Sequence, residues 1–149
     1  KNITEIVKKL PPEEYRKRFF IGSDYNDMDK VREIQDCVKD CGFIPIIAYD
    51  FPVPKEEIHD YDMYILRMCG QALFDVTSAA GHYMELEKAL YFWKPEDILV
   101  IWSKRNSADI EPPEHVSSMI KTKSFRAKGY LHPDEPKCKV IRSLVQGGK

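Results

Sequence analysis

Two carboxylates in this chain fall where a helix can aim them at a substrate. Glu85 lies in the first turn of a helix predicted over Gly81 to Trp93, whose residues Leu86, Ala89, Leu90 and Trp93 face inward. A helix N-terminus stabilises a carboxylate, and the preceding Ser78-Ala-Ala-Gly81 offers side chains small enough for a ligand to approach the backbone. First turns favour acids throughout proteins, so Glu85 is either a catalytic group or an ordinary first-turn acid. Asp62 interrupts an apolar stripe, because Ile58, Asp62, Ile65 and Cys69 follow one helical face at spacings of four, three and four. A carboxylate there is paired, hydrogen-bonded, at a cleft, or at the helix edge reaching water; unpaired burial is too costly.

These acids need elements to hold them. The opening Lys1 to Lys17 reads as a polar extension with one short helix broken at Pro11-Pro12. Apolar runs predict strands at Arg18 to Ser23, Phe43 to Tyr49, Gln71 to Thr77 and Asp97 to Ser103, with a short fifth within Phe125 to Leu131. Between the first two, Met28, Val31, Ile34, Val38 and Cys41 mark a helix, which Asp27 caps and Gly42 stops. Pro52 and Pro54 open the next loop, before the helix of Ile58, Tyr61, Ile65, Met68 and Cys69. Further short helices are expected over His115 to Thr122 and Lys137 to Gln146.

Apolar strands alternating with helices imply a parallel sheet covered on both faces. The expectation is a three-layer, flavodoxin-like α/β fold of four to five strands in the order 2-1-3-4-5. One α/β domain, residues 18–149, follows the extension of residues 1–17. Ligands of such sheets bind beyond the carboxyl ends of the strands where the order reverses, here between the first and third. Gly22, Ser23, Asp24 and Tyr25 would line that crevice from one side and Asp75 to Ser78 from the other. Asp75 either bonds a ligand hydroxyl or orders its own turn. His82 either shares the site or caps the helix. Lys104 and Arg105 are either phosphate partners or solvated loop charges.

The stretch Gln71-Ala-Leu-Phe-Asp-Val-Thr77 followed by Gly81-His-Tyr-Met-Glu-Leu-Glu-Lys-Ala89 resembles that of the nucleoside 2-deoxyribosyltransferases, with its G-x-x-x-E-L-x-x-A motif. The resemblance implies that Glu85 is the nucleophile that takes the sugar and that Asp62 handles the proton of the base. The architecture also resembles Toll/interleukin receptor (TIR) domains, many of which cleave the nicotinamide–ribose bond of NAD with a Glu on the equivalent helix. Phe19-Phe-Ile-Gly-Ser-Asp-Tyr-Asn-Asp27 is similar to their F-I-S-x-x-x-x-D opening. The likeness spans about residues 18–103. The sequence departs from the transferases at Glu87, where they have Gly, and at Ala79-Ala80-Gly81, where they have D-x-G.

What the resemblance implies is cleavage or transfer at the N-glycosidic bond of a nucleoside, nucleotide or NAD. The transition state is a cationic sugar, which a carboxylate beneath C1′ stabilises or captures. Asp62 would assist the leaving base, a help that nicotinamide does not need. No metal or cofactor is expected, and NAD would enter as substrate. Both families borrow groups from a neighbouring subunit, which implies a homo-oligomer; Tyr91, Phe92, Trp93 and Trp102 are more large aromatics than one core face requires, and some of them are expected at its interface. The alternative is a non-catalytic TIR-like module that senses a nucleotide or joins an assembly within a larger defence or signalling protein.

Composition narrows the field. No run approaches the ~18 apolar residues of a membrane helix, and no signal peptide is expected. There is no Walker loop, G-x-G-x-x-G or G-x-S-x-G, so kinase, dehydrogenase and serine-hydrolase readings lack support. A net charge of −1 gives no sign of nucleic-acid binding, although basic residues gather at both ends. Cys37, Cys41, Cys69 and Cys138 are expected to be buried thiols of a cytoplasmic protein rather than a disulfide framework. A chain that opens on Lys1 rather than Met is expected to have lost its start or to be part of a longer protein.

Overall fold

Phe19, Phe20 and Ile21 give the first strand side chains that bury on both of its faces, and all five residues of Arg18–Gly22 (β1) are buried. Such a strand is stable only inside a three-layer structure. In the computed structural model, the residues described are 9–23, 26–51, 64–77, 97–104, 112–114, 126–131 and 137–147. They form Met28–Asp40 (α1), Ile44–Ile46 (β2), Gln71–Asp75 (β3), Ile98–Lys104 (β4), Arg126–Leu131 (β5) and Lys137–Gly147 (α2). The five strands make one sheet in the order β2-β1-β3-β4-β5. Every pairing is parallel. This is the flavodoxin-like order expected from the sequence.

Each face of the sheet carries its own core. Phe19, Ile21, Leu73, Leu99, Ile101 and Tyr130 pack with Val31, Ile34 and Val38 of α1 and Val140 and Ile141 of α2. The other face gathers Phe20, Ala72, Phe74, Val76, Val100 and Trp102 with Ile65, Leu66 and Cys69. Full burial of each large apolar side chain contributes about 1.5–3 kcal/mol. At the start of α1 the Asp27 side chain accepts from Lys30 N at 3.4 Å, and after its end Gly42 takes a φ of +88°. A left-handed residue there terminates the helix at little steric cost.

The amino end of the sheet is tied by arginines. Arg18, 1% exposed, donates from Nε to Met68 O at 2.7 Å and from a terminal nitrogen to Pro11 O at 2.8 Å. Two carbonyl dipoles thus meet a charge that the apolar strand would otherwise bury uncompensated. Arg16 pairs with Asp97 at 2.9 Å, and Arg126 reaches Leu144 O at 3.0 Å and Gln71 Oε1 at 3.3 Å.

Several boundaries differ from expectation. The second strand is Ile44–Ile46 instead of Phe43 to Tyr49, because a 3-10 turn, Ala48–Asp50, bends the chain away from β1. Of the opening Lys1 to Lys17, Pro12–Lys17 form a 3-10 turn with Pro12 in its first position, where no N–H is needed, and residues 1–8 lie outside the described residues. Of the stripe from Ile58 to Cys69, residues 64–66 are helical and the positions before 64 lie outside the described residues. The expected helices over 81–93 and 115–122 also lie outside them.

The cysteines require a correction. Cys37 of α1 and Cys138 of α2 form a disulfide with a Cα–Cα separation of 5.0 Å, leaving Cys41 and Cys69 as thiols outside the bridge. Cys37 lies on the buried face of α1 and Cys138 on the facing helix, so the fold brings together residues 101 positions apart. The argument for a reducing compartment from four free thiols falls with it. Among the described residues, no helix is long and apolar enough to cross a membrane.

Candidate functional site

The carboxyl ends of β1, β3, β4 and β5 form the rim at which a sheet of this order binds ligands. β1 ends at Gly22, where an added Cβ would run into the Phe74 ring. Glycine therefore lets β1 and Phe74 of β3 pack closely, and half-buried Ser23 follows directly at the rim. Asp75 closes β3 and is 4% exposed. Its Oδ1 accepts from Thr77 N at 3.0 Å and from the Thr77 hydroxyl, while Oδ2 accepts from the Tyr130 hydroxyl at 2.9 Å. Thr77 Oγ1 in turn accepts from Ser103 N at 2.8 Å. One carboxylate thereby joins the ends of three strands and fixes the turn by which the chain leaves β3.

Tyr130 reaches Asp75 across β4, since Tyr130 is registered with Ser103 and Asp75 with Ile101. Burial pushes the Tyr130 phenol above its usual value, and the Asp75 charge pushes it further. It is a neutral donor under ordinary conditions. Asp75 thus orders its own turn, one of the two roles its position suggested. Sequence reading did not anticipate Tyr130, Thr77 or Ser103 as its partners. The Asp-x-Thr spacing of Asp75 and Thr77 was a usable turn signal, whereas nothing local marks Tyr130 as a partner.

On the opposite face of β4, Trp102 and Lys104 point over β5 at Gly129. Trp102 is only 6% exposed and belongs to the core cluster of that face, so of the four aromatics from which an interface was expected to draw some, this one packs inside. Lys104, a sequence-predicted phosphate partner, is half-buried at the last position of β4. Gly22, Ser23, Asp75 and Lys104 thus occupy the strand ends at the rim. Asp24, Tyr25, Asp62, Gly81, His82, Glu85 and Arg105 lie outside the described residues, as do Tyr91, Phe92 and Trp93. Among the described residues, no group of His, Cys, Asp and Glu is arranged to hold a metal ion.

No protein-family model and no curated protein matches the chain. Solved structures do resemble it. The CMP N-glycosidase BcmB of Clostridium botulinum superposes with a TM-score of 0.55 at 12% identity, over 87% of this chain and 98% of that one. A putative pilus assembly-related protein of Burkholderia pseudomallei gives 0.54 at 10% identity, over 91% and 90%. At these identities the likeness is one of fold. The class defined is a five-stranded parallel α/β protein with a polar, tightly bonded carboxyl rim.

Proposed function

We propose that this chain cleaves or transfers at the N-glycosidic bond of a nucleotide, nucleoside or NAD. Residues 18–149 would be the catalytic unit and residues 1–17 an extension. The observation that carries this reading is the order of motifs along the chain. Gly81-x-x-x-Glu85-Leu-x-x-Ala89 comes directly after β3, the strand that adjoins β1 where the sheet order reverses. The likeness in fold to a CMP N-glycosidase supports the same reaction class. Glu85 would attack or stabilise C1′ while the C–N bonding pair leaves with the base, and Asp62 would donate the proton that a poor leaving group needs. Water or an acceptor base would then take the sugar. Ser23, Asp24 and Tyr25 would contact sugar or base, and Asp75 would hold the turn that leads toward Glu85.

The test is incubation with nucleosides, nucleoside monophosphates and NAD, followed by chromatography for free base. Glu85→Gln is expected to abolish base release with an unchanged melting temperature, since shape is kept and the nucleophile is lost. Asp62→Asn is expected to slow purine nucleosides more than NAD. Retained turnover in folded Glu85→Gln would remove the assignment. A second reading, a non-catalytic assembly module, is favoured by the comparable likeness to the pilus assembly-related protein. Absence of base release from every substrate would select it.

A further inference from the structure

Two uneconomical choices meet at one spot on the carboxyl rim. The first is Trp102, whose indole nitrogen is sealed from water and has no hydrogen-bond partner among the described residues. A buried donor without an acceptor is costly, and an apolar ring would fill the same core space without that cost. The second is Gly129, in the body of β5, where glycine weakens a strand and usually marks a close approach. The two are matched. A Cβ on Gly129 would lie 2.7 Å from Trp102 Nε1 and 3.1 Å from its Cε2, so the glycine makes room for the N–H edge of the indole.

Lys104 completes the arrangement. It follows Trp102 by two residues on the same face of β4, and its Cδ would stand 3.2 Å from the same absent Cβ. Its ammonium makes no ion pair among the described residues. Its stem is flexible and shares the space over Gly129 with the indole edge. Val76 N bonds to Ile101 O at 2.9 Å, which sets this spot beside the point where the chain leaves β3.

We propose that the rim of β4 over Gly129 is an oxyanion subsite, with Trp102 Nε1–H and the Lys104 ammonium as donors to one phosphate group. An indole N–H donates without accepting and an ammonium does the same, a pairing that suits an acceptor-only ligand such as a phosphate dianion. The substrate class is then a nucleoside monophosphate rather than a free nucleoside. That last step rests on the glycosidic reading, whereas the subsite itself does not.

The indole proton reports on its own occupancy. Protein carrying 15N-tryptophan gives a side-chain N–H resonance for Trp93 and another for Trp102, assigned with Trp93→Phe. Titration with a nucleoside monophosphate is expected to move the Trp102 resonance downfield and saturably, and the matching nucleoside is expected to leave it in place. Inorganic phosphate, the anion alone, is expected to produce the same displacement at higher concentration. Lys104→Met, a substitution at the strand end, is expected to weaken monophosphate binding about tenfold. A stationary Trp102 resonance with every phosphate, or equal movement with the nucleoside, overturns the subsite. Movement without base release keeps the subsite and removes the glycosidic reading. Base release with a stationary resonance does the reverse.

Discussion

Asp75 is a buried carboxylate whose described donors, Thr77 and Tyr130, are all neutral. Its environment depends on the Tyr130 phenol keeping its proton, because a phenolate beside it would set two negative charges in the core. Burial, then the Asp75 charge, raises the Tyr130 value above its usual 10.0. Burial also lifts Cys69 from 9.0 to about 12. For both groups the folded value lies above the unfolded one. Their contribution is complete below the unfolded value and is lost as pH rises toward the folded one. Urea unfolding is therefore expected to show stability declining from about pH 9 upward. Tyr130→Phe should flatten the part above about pH 10 and cost about 1–3 kcal/mol at neutral pH, where Asp75 Oδ2 loses its donor. Equal slopes in the two proteins would show that folding does not raise the phenol above its usual value.

At the scale of elements, α2 is fastened to the sheet by Val140 and Ile141, by the Arg126 bond to Leu144 O, and by the Cys37–Cys138 bridge to α1. Reduction with a phosphine is expected to raise the count of reactive thiols in unfolded protein from two to four and to lower stability by about 2–4 kcal/mol. Cys37→Ser should reproduce the loss, and no change on reduction would show that packing alone holds the helix. The strands were legible because apolar runs in a two-sided parallel sheet leave a strong signal; the order followed from chain connectivity. The bridge was not, since the pairing of cysteines 101 positions apart depends on how α1 and α2 meet. β5 was hard to see because Arg126, Lys128 and Gly129 interrupt its apolar pattern. The Asp75–Tyr130 bond was lost with it. Arg18 opens a buried strand with a charge, which only the distant carbonyls of Met68 and Pro11 explain.

The whole molecule has two unlike ends. Arginines close the amino end of the sheet onto carbonyls and Asp97, while the carboxyl end presents Ser23, Thr77, Ser103 and Lys104. A rim of this kind on so small a domain offers few groups to cover a bound sugar, which is the physical reason to propose that a second copy completes the site. Specific activity is then expected to fall on dilution in step with the dissociation seen by light scattering. A monomer at all concentrations with constant specific activity would place every site residue within one chain.

The bridge between α1 and α2 also has a mechanical meaning. It closes a covalent ring with a sequence separation of 101 that encloses β2, β3, β4 and β5 but not β1, so a pull on the two chain ends loads β1 and the start of α1 while the other four strands are shielded. Stretched between a bead and a surface, the oxidised protein is expected to yield only the contour of the residues before Cys37, β1 among them, and after Cys138. Reduction should release roughly 350 Å more, at about 3.3–3.6 Å per extended residue. Four of the five described strands thus sit inside a loop that tension cannot open until two sulfur atoms part, and β1 alone of them bears the load.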